Sequence, residues 1–137
     1  MGGDAIQRET IIAYTDGACG GNPGHGGWAF LVGNLLVSGD QAGTTNNMME
    51  MTACLEALLH VPEHFHLQIH TDSKLCIGWL AWGWQCNVPR IQRIRDAFHT
   101  IKEVKDVTVY FVKVKGHSND RFNNIVDKEA VRQSKHS

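Results

Sequence analysis

The chain has 137 residues, of which 42% are hydrophobic and 20% are charged, and its formal net charge is −1. This length suits one compact domain, and the composition argues against general disorder and against a fibrous chain. No apolar stretch approaches the roughly 18 residues that span a bilayer, and the N-terminus lacks the layout of a signal peptide, so we expect a soluble, cytoplasmic protein.

Local sequence patterns predict five strands and four helices. Runs of β-branched and aromatic residues indicate the strands, and apolar residues at helical spacing indicate the helices. The first strand is expected to end at Asp16, before a glycine-dense turn over 17–27. The predicted strands are 10–15, 28–32, 34–38, 66–71 and 107–114, and the predicted helices are 46–60, 73–82, a segment marked by apolar residues from 91 to 101, and one from near 123 to beyond 130.

The order of these elements, β-β-β-α-β-α-α-β-α, predicts the architecture. Strands that alternate with helices late in a chain pair in parallel through crossover connections. The first three strands, which are joined by short turns, are expected to form an antiparallel meander. The predicted fold class is therefore α/β, a mixed five-stranded sheet with three antiparallel and two parallel strands and helices on both faces.

Charge is distributed unevenly along the chain. Residues 1–89 carry a net charge of −6, and residues 90–137 carry +5. This split fits an acidic spot for cations and a basic surface for a polyanion, although ordinary solvated faces would give the same numbers. The four cysteines form no CxxC pair, so a zinc ribbon or a thioredoxin-like site is poorly supported and free thiols are expected.

Two acidic residues stand at equivalent positions, where predicted strands end. Asp16 lies in a Thr-Asp-Gly segment and Asp72 in a Thr-Asp-Ser segment. If the two strands are parallel neighbours, both carboxylates lie at the sheet end where ligands of open α/β sheets bind. Glu50 and Asp127, each early in a predicted helix, could join them. Converging carboxylates repel one another unless hard divalent cations such as Mg²⁺ or Mn²⁺ neutralise them.

Four sequence blocks resemble, in order and spacing, the motifs of the type 1 ribonuclease H family. The blocks are 14–24 (YTDGACGGNPG), 44–50 (TTNNMME), 71–73 (TDS), and 114–118 (VKGHS) with Asn123 and Asp127. The resemblance covers about residues 10–132. It implies the ribonuclease H-like fold and an endonuclease that cleaves the RNA strand of RNA/DNA hybrids.

The resemblance also implies a domain organisation. Residues 1–9 would be a short N-terminal extension, 10–132 a single catalytic domain, and 133–137 a C-terminal tail. The segment 78–89 is short and carries no Lys or Arg, so the long basic insertion by which some relatives grip the hybrid is missing, and a separate hybrid-binding domain has no room. We therefore expect weak, salt-sensitive and distributive binding.

By motif position, four acids match the catalytic acids of the family. Asp16 would bridge two Mg²⁺ ions, with Mn²⁺ as the alternative metal. Glu50 and Asp72 would hold the ion that stabilises the leaving 3′-oxygen, and Asp127, with Asp16, would hold the ion that activates water. The products would carry 5′-phosphate and 3′-hydroxyl ends. His117 matches a mobile histidine of the family, which would shuttle protons or assist product release.

Other residues match the family's hybrid-contacting positions. A glycine turn would approach the 2′-hydroxyls of the RNA strand, two asparagines would contact the hybrid across its minor groove, and a threonine would bind a phosphate of the DNA strand. Two lysines would add contacts to the backbone. The residues expected to bind nucleic acid are Gly20, Gly21, Asn22, Asn46, Asn47, Thr45, Lys74 and Lys115.

The chain departs from the family pattern at several positions. Many members carry Gln where Lys74 stands, a basic or polar residue where Met48 stands, and Glu where Asn124 stands. We expect these differences to affect specificity and the tuning of the metal ligands. Three tryptophans, at positions 79, 82 and 84, either pack against sugars of the DNA strand or belong to the core.

Two other functions remain open from the sequence. One is a catalytically weak or silent module that binds RNA/DNA hybrids, and the other is a different nuclease or integrase of the same fold class, such as a Holliday-junction resolvase. Retention of all four acids argues against the silent module. We expect a monomer that acts on a hybrid duplex, without a membrane and without an obligate protein partner.

Overall fold

The computed structural model describes residues 8–115 and 120–136. Within these ranges it contains five strands and four helices, in the predicted order. The strands are β1 (Thr10–Cys19), β2 (Gly24–Val32), β3 (Leu35–Thr44), β4 (His66–Thr71) and β5 (Thr108–Lys113), and the helices are α1 (Asn46–His60), α2 (Lys74–Ala81), α3 (Pro89–Val104) and α4 (Arg121–Ser134).

The strands form one mixed sheet in the order β3-β2-β1-β4-β5. The pairs β1–β2 and β2–β3 are antiparallel, whereas β1–β4 and β4–β5 are parallel. In the register of the central pair, Tyr14 lies opposite His70. The predicted fold class, including the mixed sheet, is confirmed. Among the described residues, no helix is both long and apolar enough to cross a membrane.

Alternating side chains of the strands divide the core between the two faces of the sheet. Phe30 packs on the larger core with α1, α2 and α3, whereas its neighbours Ala29 and Leu31 pack on α4. Leu67 and Ile69 of β4 are fully buried in the larger core, as their spacing predicts. All four cysteines are free thiols. Helices therefore cover both faces, and α4 alone forms the second layer among the described elements.

The glycine-dense segment was interpreted wrongly as one long turn. β1 continues through Cys19, and β2 already begins at Gly24, with Cys19 opposite Gly26. The physical reason is close packing of helices on these strands. A Cβ atom on Gly27 would lie 2.3 Å from the carbonyl oxygen of Ala130 in α4. Two of these glycines, Gly17 and Gly27, therefore mark places where a helix backbone approaches the sheet, and the turn itself is short.

A polar cluster ties α4 to the outer strand β3. Ser38 donates a hydrogen bond to Glu129 at 2.5 Å, and Arg132 and Gln133 also donate to Glu129. These donors, with Arg132 first, lower the pKa of Glu129 to about 2. Because the folded-state pKa lies below the ordinary 4.5, this carboxylate contributes stability above about pH 4.5, and the contribution is lost as the pH falls towards 2.

We expect Glu129→Gln to lower the free energy of unfolding by about 1 kcal/mol at pH 7, less than the pKa shift alone implies, because Arg132 is exposed to solvent. The difference between the two proteins should shrink between pH 5 and pH 2. Urea denaturation at pH 7, 4 and 3 measures it. A difference that stays constant over this range would mean that the carboxylate charge of Glu129 does not stabilise the fold.

Candidate active site

The parallel pairing of β1 and β4 brings two acids together. The parallel register ends with Tyr14 opposite His70, and two residues beyond these positions Asp16 and Asp72 have carboxylate oxygens within 4.8 Å of each other. Asp72 follows directly after the last residue of β4, where the hydroxyl of Thr71 accepts a hydrogen bond from the backbone of Ser73. Ser73 in turn caps α2. The chain therefore turns sharply after Asp72 and leaves this carboxylate at the end of the sheet.

Glu50 comes from α1, which crosses this end of the sheet at unusually short range. Thr45 caps the helix by accepting a hydrogen bond from the backbone N–H of Met48. A Cβ atom on Gly17 would lie 2.4 Å from the backbone nitrogen of Glu50, so only glycine permits this approach. Oxygen atoms of Asp16, Glu50 and Asp72 lie within 4.8 Å of one another.

The fourth acid stands on α4. Asp120 caps this helix by accepting hydrogen bonds from the backbone N–H groups of Phe122 and Asn123. Asp127 lies seven residues, or about two helical turns, after this cap, and it is near enough to Asp16 to raise the pKa of that acid. All four acids line one cavity of about 170 Å³. Its lining residues are Asp16, Gly17, Asn46, Glu50, Asp72, Asn123, Asn124 and Asp127.

Crowding and burial make this cavity electrostatically unfavourable for ionised carboxyl groups. Burial, and then the charge of Asp72, raise the pKa of Asp16 to about 7, although a hydrogen bond from Glu50 lowers it. Burial and the neighbouring Asp16 raise the pKa of Glu50 well above its usual range. Glu50 is 4% exposed, and its Oε2 atom has no hydrogen-bond partner.

The donor set fits divalent cations. Two buried oxygen atoms of residues that line the cavity have no hydrogen-bond partner. They are Oε2 of Glu50 and Oδ1 of Asn123. A purely structural cluster would satisfy such atoms internally. Oxygen ligands from three carboxylates within 4.8 Å are what hard cations such as Mg²⁺ and Mn²⁺ prefer. The four acids could therefore hold such ions, and binding would supply the positive charge that the cavity lacks.

Among the predicted hybrid-contacting residues, one belongs to the cavity lining and most of the others are exposed to solvent. Asn46, at the start of α1, lines the cavity itself. Asn46 is exposed and Asn47 half-buried, and the turn residues 20–22 are exposed. Lys74 and Lys115 are also exposed, at the start of α2 and just beyond β5. The predicted catalytic residue His117 lies outside the described residues.

Two departures from the family pattern have a structural explanation. Many family members carry a basic or polar side chain at position 48. In this chain Met48 is buried in the larger core instead. Asn124 lines the cavity beside Asp127, so its neutral amide leaves the cavity with one acid fewer than a glutamate would. Sequence reasoning missed Gly17 as a site residue, although a glycine directly after an acidic residue at a strand end was the available signal.

The tryptophans after β4 fall into two groups. Trp79 is part of the larger core. Trp82 and Trp84 are 52% and 40% exposed, and their ring centroids lie 5.3 Å apart. A Cβ atom on Gly78 would lie 2.1 Å from the Trp84 ring, so this ring rests directly on the α2 backbone. The two exposed rings therefore form an aromatic surface that rests on α2, whereas Trp79 belongs to the core.

Comparison with known proteins identifies similar sequences over almost the whole chain. The family model described as RNase H matches residues 8–135. A ribonuclease H from Prosthecochloris aestuarii is 39% identical over 134 residues, which cover 88% of this chain and 92% of that protein. A ribonuclease H from Chlorobaculum parvum is 38% identical and covers 90% of this chain and 94% of that protein.

Solved structures share the fold at lower identity. The N-terminal RNase H domain of a Mycobacterium tuberculosis protein superimposes with a TM-score of 0.78 at 17% identity, covering 93% of this chain and 95% of that one. LC11-RNase H1, solved in complex with an RNA/DNA hybrid, gives a TM-score of 0.75 at 24% identity, covering 89% and 97%. At these identities the structures support the fold, and the sequence relatives support the family.

Proposed function

The chain belongs to the ribonuclease H family and is an enzyme of that family, and we propose that it hydrolyses the RNA strand of RNA/DNA hybrids with the participation of two divalent cations. The observation that carries the proposal is the convergence of carboxylates. Asp16, Glu50 and Asp72 have oxygens within 4.8 Å of one another, and Asp127 adds a fourth acid from the opposite face of the sheet.

Each acid has a place in this proposal. Asp16 lies between the other acids and would be shared by both ions, Glu50 and Asp72 would hold one of them, and Asp127 would hold the other together with Asp16. When bound, Mg²⁺ or Mn²⁺ would supply the Lewis acidity for phosphoryl transfer to water. The protein's own contribution is to hold four negative charges in place, so that little reorganisation is needed during the reaction.

The surroundings of the acids would position the substrate. Asn46 lines the cavity, and together with Asn47 and the turn over 20–22 it would offer backbone and amide groups to 2′-hydroxyls of the RNA strand. Thr45, Lys74 and Lys115 would contact backbone phosphates. His117 would shuttle a proton or assist the release of product. Cleavage would leave 5′-phosphate and 3′-hydroxyl ends, and residues 10–132 would act as one monomeric catalytic domain.

The decisive test is cleavage of end-labelled duplexes in Mg²⁺ and in Mn²⁺. The substrates are an RNA/DNA hybrid, an RNA duplex, a DNA duplex and single-stranded RNA, and the enzymes are the wild type and Asp72→Asn. We expect cleavage of the RNA strand of the hybrid alone and its loss in Asp72→Asn, because this carboxylate belongs to the cluster. Hybrid binding without cleavage by the wild type in either metal would instead favour a silent binding module.

The exposed tryptophans should contribute to binding of the DNA strand. We expect Trp82→Ala to raise the KM for the hybrid about 5- to 30-fold with little change in kcat, because packing of deoxyriboses on one exposed aromatic ring buries apolar surface that contributes about 1–2 kcal/mol. Steady-state kinetics with a hybrid in 50 mM salt measures this. Val104→Ala, which shortens another exposed apolar residue at the far end of α3, is the control. An equal KM for wild type and Trp82→Ala would show that this ring lies outside the substrate path.

A further inference from the structure

The two ends of α4 are attached to the sheet in different ways. Its C-terminal half is seated by close backbone contact, since a Cβ atom on Gly27 would lie 2.3 Å from the carbonyl oxygen of Ala130. Ser38 on β3 adds its hydrogen bond to Glu129. Its first turn carries Phe122, whose ring lies 5.3 Å from the ring of Tyr14 on β1. The aromatic pair therefore joins the beginning of α4 to the central strand.

Tyr14 is itself firmly held. Its ring lies 4.5 Å from the ring of His70 on the neighbouring strand β4. Burial, and then the nearby carboxylate of Asp120, the capping residue of α4, raise the pKa of Tyr14. Phe122 remains 43% exposed beside a cavity of about 200 Å³. Phe122 therefore packs against Tyr14 without being enclosed by the core.

Two features link β1 and α4, the packing of Phe122 on Tyr14 and the approach of Asp127 to Asp16 in the cavity. Along β1, Tyr14 and Asp16 are two residues apart on one face, which is about 6.6 Å. Along α4, Phe122 and Asp127 are five residues apart, which is about 7.5 Å. The rings of Tyr14 and Phe122 lie 5.3 Å apart, and Asp16 and Asp127 line the same cavity. A shift of the first turns of α4 would therefore change both separations together.

We propose that Phe122, packed on Tyr14, is a positioning residue that sets the separation of Asp127 from Asp16 and thereby the affinity for a divalent cation shared by these two acids. The inference rests on the proposed function for the identity of the ion. It assigns no contact between Phe122 and the substrate. Its consequence is specific, because loss of the ring should weaken ion binding while leaving hybrid affinity and the rate at saturating ion nearly unchanged.

The test compares Phe122→Ala, Phe122→Leu and Phe122→Tyr with the wild type. Binding of Mn²⁺ is measured by calorimetry without substrate, and the Mg²⁺ concentration for half-maximal cleavage, the kcat and the KM are measured with a hybrid. We expect Phe122→Ala to weaken Mn²⁺ binding about 5- to 10-fold, with kcat at saturating Mg²⁺ within about twofold of wild type. Phe122→Tyr keeps the ring and should restore wild-type binding, and Phe122→Leu should be intermediate.

Tyr110→Ala is the matched control, because Tyr110 is 49% exposed and its ring packs on His66 of β4. Unchanged Mn²⁺ binding in Phe122→Ala, or an equal loss in Tyr110→Ala, would overturn the inference. If Phe122→Ala fails to fold, Mn²⁺ binding by Phe122→Leu and Phe122→Tyr decides the question. Weaker binding by Phe122→Leu supports the inference, and equal binding overturns it. If the wild type binds Mn²⁺ but cleaves no hybrid, the proposed function fails, while the binding comparison still tests the role of Phe122.

Discussion

Asp16→Asn should raise the free energy of unfolding of the metal-free protein at pH 8 and, in the same molecule, lower hybrid cleavage on the order of 10³-fold or more. Asp16 is 4% exposed, and burial and Asp72 raise its pKa to about 7. Ionised Asp16 therefore costs stability in the folded state. An asparagine keeps the oxygen that accepts the hydrogen bond from the Gly17 backbone at 2.8 Å and removes the charge.

The sign of the pH dependence follows from the raised pKa. The folded protein holds the Asp16 proton more tightly than the unfolded chain, whose pKa is near 3.8. The free energy of unfolding of the wild type should therefore fall as the pH rises from about 4 to 7 and stay lower above pH 7. We expect Asp16→Asn to be more stable than the wild type by about 2 kcal/mol at pH 8 and equally stable near pH 4.

Urea denaturation in the presence of a chelator, at pH 8 and pH 4, measures this difference. Added Mg²⁺ should stabilise the wild type and have little effect on Asp16→Asn, because an ion that binds the folded state alone shifts the equilibrium by mass action. Asp96→Asn removes an exposed carboxylate and should change stability by less than about 0.5 kcal/mol. Destabilisation of Asp16→Asn at pH 8 without metal would contradict this account of the cavity.

The helices and the parallel half of the sheet were predictable because their signals are local. Capping residues before position 46 and apolar residues at helical spacing predicted α1 with its observed bounds, Asn46–His60. Alternation of apolar and polar residues predicted β4 with its observed bounds, His66–Thr71. The parallel pairing then brought Asp16 beside Asp72 as expected. For Glu50 and Asp127, the resemblance to a family supplied what local pattern could not, since an acid in a helix is usually exposed.

The glycine-rich part of the chain was not predictable from local signals. A glycine in a turn and a glycine under a crossing helix have the same appearance in a sequence. Gly27 is close to Ala130, which is more than one hundred residues away, and Gly78 is close to the ring of Trp84. Many members carry a basic or polar residue where Met48 stands, and only the packing of α1 shows that this side chain belongs to the core. Each of these outcomes depends on a tertiary contact.

Gly17→Ala should lower the free energy of unfolding by about 3 kcal/mol, which would make it one of the most destabilising single substitutions near the cavity. The molecules that still fold should cleave the hybrid much more slowly than the wild type. The added Cβ atom would lie 2.4 Å from the Glu50 nitrogen and 2.5 Å from the Met49 carbonyl carbon. Both are backbone atoms of α1, so no side chain can move aside. The helix must shift from β1, and this shift moves Glu50 away from Asp16.

Gly20→Ala is the matched control, because its added Cβ atom would meet nothing closer than the His25 carbonyl oxygen at 3.6 Å. Urea denaturation should show a loss for Gly17→Ala and a change within about 1 kcal/mol for Gly20→Ala. Calorimetry on folded Gly17→Ala should also show weaker Mn²⁺ binding, because Glu50 and Asp16 are two of the three acids in the cluster. Wild-type stability together with wild-type Mn²⁺ affinity in Gly17→Ala would mean that the close approach of α1 does not hold these acids together.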